Sequence, residues 1–245
     1  MRKKFRCLHC GSCCEKPYSQ ISLTLGDVIR LSEQLKKPVE ALFAEGLVGI
    51  MPFFCSDTRF GCELGLKKPC TLRIDKRCVA YKARPLNCRL FPIWLLAELA
   101  KEKLKEHVDE SYLCVHFVEL DDETKERYRI YTKRIAEILD KEAELTEGLL
   151  KKLFLEYNLE EEIDLSLAEG FGELDKRIKK RGESTIQKKK EADNARVGFA
   201  LKIIDKLDYK RIFPKVIKEI RELRDRAEFT SIGELEIMEK GMDNQ

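Results

Sequence analysis

The sequence lacks a hydrophobic run long enough to cross a membrane. Its longest apolar stretch, residues 91–100, contains Pro92 and Glu98 and is far shorter than the roughly 20 residues that a spanning helix needs. The basic start at residues 2–4 is soon followed by Cys7, where a signal peptide would have its apolar segment. We therefore expect neither a membrane protein nor an exported one, and we expect a cytoplasmic location.

A strong net charge is also absent. Among the 245 residues, 47 Lys and Arg stand against 44 Asp and Glu, which leaves a net charge of +3. A protein that binds nucleic acid usually carries a much larger basic excess. The basic runs at residues 179–181 and 188–190 have acidic neighbours and are expected to be solvated helix faces. No nucleic-acid partner is predicted.

Cysteine is missing from residues 115–245, whereas all ten cysteines of the chain fall in residues 1–114. Charge divides at the same place. The first part has 20 Lys and Arg against 13 Asp and Glu (+7), and the second has 27 against 31 (−4). This asymmetry predicts a cysteine-rich domain at residues 1–118 and a region of different character at residues 119–245.

The opening cysteines have the spacing of metal ligands. Cys7, Cys10, Cys13 and Cys14 form the pattern C-x-x-C-x-x-C-C, and a two-residue gap lets one turn bring two sulfur atoms onto one ion. Disulfides are an alternative because ten is an even number, but a chain without export signals normally keeps its thiols reduced. The C-x-x-x-C-x-x-C signature of radical enzymes that use S-adenosylmethionine is missing, since Pro17 stands where the third cysteine is required. Metal binding is the favoured interpretation.

A second cysteine block extends the pattern. Its core reads Cys78-x-x-Tyr81-x-x-Arg84-Pro85-x-x-Cys88-Arg89-x-Phe91-Pro92. Together with the opening cluster, this block resembles the CxxCxxCC family, whose YkgJ-type members are described as zinc- or iron-chelating proteins. The resemblance covers about residues 5–117. It implies eight metal ligands, which are Cys7, Cys10, Cys13, Cys14, Cys70, Cys78, Cys88 and Cys114.

Two cysteines and two histidines lie outside this set. Cys55 and Cys62 have no counterpart in the family pattern, and burial is the favoured interpretation for both. An even eight-residue spacing from Cys62 to the next two cysteines leaves coordination open. His9 and His116 stand close to matched cysteines and are expected to be bystanders, because eight better-matched thiols are available.

The surroundings of the cysteines suit a negatively charged centre. Four thiolates around a zinc ion or an oxidised 4Fe–4S cluster leave a charge of about −2, which calls for donors and positive charge nearby. Arg84 and Arg89 flank Cys88 and are predicted to contact the cofactor, although they could instead reach solvent or hold a loop carbonyl. Gly11, inside the opening cluster, is expected at a left-handed turn or a close backbone approach.

The sequence leaves the kind of metal open. Soft thiolate ligands accept zinc as well as iron. Three ligands within seven residues, joined by remote cysteines, are typical of an iron–sulfur cluster, so a 4Fe–4S cluster is favoured over Zn²⁺. Eight thiols allow either two metal sites or one cluster with an open position for a substrate.

Three functions are compatible with these residues. The first is a metal-binding protein that coordinates an iron–sulfur cluster or zinc for electron transfer, sensing or structure. The second is an iron–sulfur-dependent protein lysine methyltransferase, because flagellin lysine methylases contain a similar cysteine-rich block, but no glycine-rich cofactor loop follows a recognisable strand. The third is a zinc-stabilised interaction module.

The hydrophobic pattern predicts a mainly α fold. In the cysteine-rich domain, short helices and loops are expected, held together by the metal. Apolar residues recur at helical spacing over residues 28–35, with Thr24 as the N-cap, and Pro38 begins a second short helix. Residues 46–69 contain four glycines and two prolines and are expected to form an irregular loop.

The region after residue 118 is predicted to be all-helical. From about Thr124, one apolar seam follows helical spacing and is interrupted at Glu142. Its members are Tyr128, Tyr131, Ile135, Ile138, Leu145 and Leu149. A final pair of helices over residues 197–223 is expected to break at Pro214. These helices pack within the chain or dock a protein partner, and the oligomeric state is not predicted.

Overall fold

The computed structural model of the protein describes residues 4–15, 21–54, 60–66, 69–100, 103–104, 108, 112–116, 118–156, 209–226 and 228–243. The chain divides into two compact units. Unit 1 comprises residues 1–49, 65–145 and 220–245, and unit 2 comprises residues 50–64 and 146–219. The boundary proposed at residue 118 stays a prediction, and the basic runs at residues 179–181 and 188–190 lie outside the described residues.

Helices predominate among the described residues, which confirms the mainly α prediction. They are α1 (Ser12–Glu15), α2 (Leu25–Leu35), α3 (Val39–Ala44), α4 (Leu86–Leu90), α5 (Ile93–Glu98), α6 (Leu113–His116), α7 (Asp122–Glu156), α8 (Tyr209–Asp225) and α9 (Ile232–Asp243), with a 3₁₀ turn at Tyr81–Ala83. The strands are β1 (Ile21–Leu23), β2 (Val48–Phe54), β3 (Phe60–Leu66), β4 (Arg73–Ile74) and β5 (Arg77–Cys78). No helix in the described part of the chain is long and apolar enough to span a bilayer.

The first predicted helix begins where its capping residues require. Thr24 is the N-cap of α2, and its hydroxyl accepts a hydrogen bond from the Asp27 N–H at 3.0 Å. The Asp27 carboxylate in turn accepts one from the Thr24 N–H at 3.1 Å. This reciprocal capping box satisfies two backbone donors that a helix start leaves open. The predictions of Thr24 as N-cap and of a second helix after Pro38 are both confirmed.

The prediction of an irregular loop over residues 46–69 is wrong. Strands β2 and β3 occupy much of this segment and form a three-stranded sheet with β1, in the order β1-β3-β2. Val48 and Ile50 are buried on either side of a less buried Gly49, and this alternation is the period of a strand. Gly and Pro usually indicate turns, but burial of the β-branched residues Val48 and Ile50 outweighs that tendency here. Strands β4 and β5 form a separate antiparallel hairpin, with Arg73 opposite Cys78.

The core of unit 1 forms where α7 meets the cysteine-rich segments. The predicted apolar seam is confirmed at Tyr128, Tyr131 and Ile135, which are buried in one cluster with residues of α4, α5 and α6. Cys114, on α6, belongs to the same cluster. The cluster consists of Leu86, Ile93, Leu95, Leu96, Ala97, Leu104, Val108, Cys114, Val115, Val118, Tyr128, Tyr131, Ile135 and Leu235. A sequence region predicted as separate from the cysteines therefore supplies part of their support.

Glu142, which interrupts the apolar seam of α7, is buried and paired. The Arg30 guanidinium donates to both of its carboxylate oxygens at 2.8 Å, and the Thr24 hydroxyl donates to it at 2.5 Å. Arg30 also contacts the Asp27 carboxylate at 2.7 Å and the Thr230 carbonyl at 2.8 Å. This network ties α2 to α7 and to the segment before α9. A buried charge is tolerated only with partners of this kind.

The predicted helix break at Pro214 is wrong. Pro214 lies inside α8, and its side chain is exposed. It falls in the second turn of the helix, so the helix forgoes one backbone hydrogen bond near its start and continues past the proline. The other half of the predicted pair, residues 197–207, lies outside the described residues. Helix α9 begins at a second capping box, in which Ser231 and Glu234 exchange hydrogen bonds.

Candidate metal centre

All eight predicted ligands line one cavity of about 460 Å³ in unit 1. They are Cys7, Cys10, Cys13, Cys14, Cys70, Cys78, Cys88 and Cys114. Each is a free thiol. The chain thus brings together sulfur atoms from a loop, the hairpin region and the three short helices α1, α4 and α6, which are separated by up to about a hundred residues in sequence.

The opening loop turns sharply at Gly11. This residue has a φ of +86°, and its carbonyl accepts hydrogen bonds from the Cys14 N–H at 2.7 Å and from the Glu15 N–H at 2.8 Å. A Cβ at position 11 would lie 2.6 Å from the guanidinium of Arg73. The left-handed φ strains any residue that has a side chain, and a Cβ here would also have to displace the Arg73 guanidinium. The expectation for Gly11 is confirmed.

Hydrogen bonds to the Cys10 sulfur lower the pKa of this thiol. Burial alone would raise the pKa of its thiol, but donors from the backbone and side chain of Ser12, and from the backbone and thiol of Cys114, lower that pKa. Hydrogen bonds to a sulfur favour its charged form. The thiolate is the form of cysteine that binds metal, and these hydrogen bonds favour that form at Cys10.

Backbone hydrogen bonds hold the hairpin cysteines against the opening loop. The Cys70 N–H donates to the Cys14 carbonyl at 2.8 Å, and the Arg73 N–H donates to the Cys70 carbonyl at 3.1 Å. Cys78 then follows on β5, directly across the hairpin from Arg73. Burial is the main cause that raises the pKa of Cys78 to about 11. Without a metal, this thiol is protonated at neutral pH.

Cys88 is positioned by two contacts that the sequence did not reveal. It lies on α4, where the Leu86 N–H donates to the Asp27 carboxylate at 3.0 Å. The neighbouring Asn87 amide donates to the Ser22 carbonyl at 2.9 Å. Asp27 thus caps α4 although it belongs to α2, because Pro85 at the start of α4 provides no side-chain cap. The position of Asp27 three residues after the predicted N-cap indicates its role in α2, but nothing in the sequence indicates its role in α4.

The remaining thiols lie close enough to one another to affect each other's pKa. A hydrogen bond with Cys14 is the largest cause that raises the pKa of Cys13, and burial adds to it. The two Sγ atoms are 3.7 Å apart. Burial raises the pKa of Cys88, with Cys70 next in effect, and burial likewise raises the pKa of Cys114 to about 12. Thiolates this close repel one another unless a cation lies between them.

Arg84 and Arg89, predicted to contact the cofactor, line the cavity but are held by a glutamate of α9. Both guanidinium groups donate to Glu239, that of Arg84 at 2.8 Å. Arg89 is fully buried and also donates to the backbone carbonyls of Lys82 and Arg84. The Arg84 guanidinium lies 4.3 Å from the centre of the Tyr81 ring. Its Nε and Nη1 atoms are buried and make no hydrogen bond to the described residues.

Contact of these two arginines with a cofactor stays a prediction. Glu239 was missed by sequence reasoning, because no motif connects position 239 with position 89. The Tyr131 hydroxyl also donates to Glu239, at 3.2 Å. This carboxylate therefore joins α7, α9 and the wall of the cavity.

Three further residues complete the comparison with the predicted site. His9 lines the cavity, with its Nδ1 atom 4.0 Å from the Cys7 Sγ. Cys55 lies outside the described residues, and the side chain of Cys62, on β3, does so too. No three Cys, His, Asp or Glu side chains of the described residues lie close enough together to hold one metal ion in this conformation. Coordination of an ion by several thiols would therefore require them to rotate towards one another.

The donor set fits a thiophilic metal. Thiolates are the preferred ligands of zinc and of iron–sulfur clusters, and the cavity wall offers eight cysteines beside the buried Arg89 and the half-buried Arg84. Cysteine rotation about χ1 moves Sγ without disturbing the backbone. The residues that could hold a metal are thus the eight predicted ones.

Comparison with known proteins agrees with this chemistry. A sequence model of the CxxCxxCC domain, described as a "putative zinc- or iron-chelating domain", matches residues 6–149. A curated protein of Methanocaldococcus jannaschii, named uncharacterized protein MJ0661, is 28% identical over 148 residues, which cover 60% of this chain and 77% of that protein. No solved structure matches the chain.

Proposed function

Because this chain belongs to the CxxCxxCC family of zinc- or iron-chelating domains, we propose that its thiol cavity binds an iron–sulfur cluster of the 4Fe–4S type. Zinc is the alternative occupant. The observation that carries the proposal is the presence of all eight family cysteines on the wall of one cavity. A shared wall allows thiols that are far apart in sequence to serve as ligands of one centre.

The size of the cavity supports a group larger than a single ion. A structural zinc ion is enclosed directly by four ligands and needs no cavity. A volume of about 460 Å³ lies instead within the range of sites for small molecules and cofactors. The arrangement of the opening loop, with three cysteines in seven residues and further ligands far away, also favours a cluster.

The protein's own residues would control the charge of the centre. Hydrogen bonds from Ser12 and Cys114 lower the pKa of Cys10 and so favour its thiolate form. Arg84 offers two buried N–H-bearing atoms that have no partner among the described residues, and such donors stabilise sulfur that carries negative charge. A bound cluster of this type supplies one-electron redox chemistry.

Anaerobic purification of the full chain tests the proposal. Iron, acid-labile sulfide and zinc are measured per chain, together with the visible absorbance. The expected protein is brown and contains iron and sulfide in similar amounts. Zinc without sulfide would show that zinc and not a cluster occupies the cavity. A protein that binds neither metal would contradict metal binding altogether.

Two substitutions provide a matched comparison. Cys88→Ser removes a thiol of the cavity wall and is expected to cause loss of metal, because one ligand of the centre disappears. Cys55→Ser changes a cysteine outside the family pattern and is expected to leave the metal content unchanged. If Cys55→Ser empties the site as well, the assigned ligand set is wrong.

A further inference from the structure

The opening loop, residues 7–15, is held in a conformation that a free chain seldom adopts. His9 has a φ of +54° and Gly11 has a φ of +86°, and only glycine enters this left-handed region without a penalty. Helix α1, at the end of the loop, has four residues and is too short to be stable by itself. Contacts from outside the loop are therefore needed to maintain its shape.

Arg73, on strand β4, supplies such contacts at three points of the loop. Its Nη2 atom donates to the His9 carbonyl at 3.4 Å, its guanidinium lies against Gly11, and its Nη1 atom forms an ion pair with the Glu15 carboxylate. The segment between the first and the last of these contacts contains three of the eight predicted ligands, which are Cys10, Cys13 and Cys14.

The register of the hairpin directs Arg73 towards the cavity. Arg73 lies opposite Cys78, and Ile74 lies opposite Arg77. Because side chains alternate between the two faces of a strand, Arg73 and Cys78 share one face and Arg77 lies on the other. Arg73 and Cys78 line the cavity, whereas Arg77 is exposed and does not line it. The same hairpin thus has one arginine on its cavity side and one on its outer side.

The ion pair between Arg73 and Glu15 lies at the surface. The side chain of Arg73 is 16% exposed and that of Glu15 is 55% exposed, so the pair can break and re-form without unfolding the core. The loop has a second attachment to the hairpin region, the backbone hydrogen bond from the Cys70 N–H to the Cys14 carbonyl at 2.8 Å. That bond holds only the far end of the loop, whereas Arg73 also reaches His9.

We propose, as an extension of the proposed metal-binding function, that Arg73 is a positioning residue that holds the opening loop against the hairpin, and that its ion pair with Glu15 breaks when metal enters or leaves the cavity. With the pair formed, the loop cysteines stay beside Cys70 and Cys78. With the pair broken, the loop moves away from the hairpin and the thiols separate.

Hydrogen exchange in the metal-free full-length chain tests the positioning role without depending on metal. The reporters are the Cys14 and Glu15 amides, which donate to the Gly11 carbonyl at 2.7 and 2.8 Å. Arg73→Gln removes the ion pair and should increase their exchange rate about tenfold, because the loop opens more often. Arg77→Gln removes the same charge from the outer face and should leave the rate unchanged. Equal rates in the two variants would overturn the role of Arg73.

Arg73→Lys distinguishes positioning from a general loss of folding. Lysine keeps the charge that pairs with Glu15 but has no planar fork that also reaches the His9 carbonyl. Its exchange rate should therefore lie between those of the wild type and Arg73→Gln. A rate as high as that of Arg73→Gln would show that the ion pair does not hold the loop.

Release of zinc to a chromogenic chelator tests the role of the ion pair in metal exchange. Glu15→Gln leaves Arg73 in place, so it also covers the case in which the Arg73 variants fail to fold. At low salt this variant should release zinc about threefold faster than the wild type. The two rates should converge in about 1 M KCl, which screens an exposed pair.

The outcomes separate this inference from the proposed function. Equal release rates at low salt, from chains that both bind zinc, would overturn the role of the ion pair and leave metal binding intact. A wild-type chain that takes up no zinc would contradict the proposed function and with it the role in metal release. The exchange rates would then still decide whether Arg73 holds the loop.

Discussion

At the scale of single residues, the surroundings shift the pKa values of two cavity thiols in opposite directions. Ser12 and Cys114 donate hydrogen bonds to the Cys10 sulfur and outweigh its burial, so its pKa is lowered. Cys88 has no such compensation, and burial raises its pKa. Of these two thiols, Cys10 is therefore the better able to capture an ion in the metal-free protein.

Alkylation rates report this difference. In the metal-free chain near neutral pH, a lowered pKa increases the thiolate fraction, so Cys10 should react with iodoacetamide faster than Cys88 or Cys13. Mass spectrometry of timed samples gives the rate for each cysteine. Ser12→Ala removes one donor and should slow the reaction at Cys10 alone. Equal rates at Cys10 and Cys88 would contradict the proposed hydrogen bonding.

Glu239 neutralises the positive charge of the fully buried Arg89. Glu239→Gln leaves that guanidinium without a carboxylate and should lower the free energy of unfolding by about 3 kcal/mol. The denaturant midpoint of the full chain measures the loss. Glu236→Gln, on the same helix, breaks only an ion pair with the exposed Lys82 at 3.3 Å and should cost about 0.5 kcal/mol or less. Similar losses in the two variants would show that Arg89 does not depend on Glu239.

At the scale of helices and strands, local signals could be predicted from the sequence and distant contacts could not. The α2 cap at Thr24, the start of α3 after Pro38 and the buried face of α7 follow from capping chemistry and helical spacing. Strands β2 and β3 could not be predicted in this way. Gly and Pro usually indicate loops, and they also occur in strands that are stabilised by burial.

In the candidate site, the cysteines could be predicted from the sequence, whereas the residues that support them could not. Its cysteines were identified because two dense motifs mark them in the sequence. The supports of the site were not, because Asp27 caps α4 and Glu239 holds Arg89 only after the chain has folded. No periodicity or spacing relates residues more than 50 positions apart.

The contact between α2 and α7 leads to a prediction about glycine. A Cβ at Gly26 would lie 2.3 Å from the carboxylate of Glu142, so Gly26→Ala must displace the partner of the buried Arg30. We expect a loss of about 3 kcal/mol in the free energy of unfolding, from chemical denaturation. Gly148→Ala is the control, since nothing lies within 4 Å of its Cβ, and alanine should stabilise α7 by up to about 1 kcal/mol. A neutral Gly26→Ala variant would contradict the closely packed α2–α7 contact.

At the scale of the whole molecule, metal binding and proton release are coupled. Burial raises the pKa of Cys78 to about 11 and of Cys114 to about 12, so both thiols carry protons at neutral pH when no metal is bound. A metal must displace those protons, and its apparent affinity should therefore fall as the pH falls. Titration with zinc in weak buffer should release protons. Affinity that stays constant between about pH 6 and 8 would contradict thiolate coordination.

Loss of metal should also destabilise unit 1, because its cysteines come from segments that a shared centre would hold together. A structural thiolate site contributes on the order of 10 kcal/mol to folding. We expect removal of the metal with a chelator to lower the thermal midpoint of unfolding, measured by circular dichroism, and to broaden the unfolding transition. An unchanged midpoint after complete metal removal would show that the apolar core alone maintains this part of the fold.

X-ray absorption spectroscopy of the anaerobically purified protein, at the iron and zinc edges, most directly tests whether the thiol cavity holds the metal. The predicted first shell consists of sulfur alone, at about 2.3 Å from the metal, with an iron neighbour in addition if a cluster is bound. A first shell of nitrogen and oxygen atoms would contradict the assignment of Cys7, Cys10, Cys13, Cys14, Cys70, Cys78, Cys88 and Cys114 as the ligands.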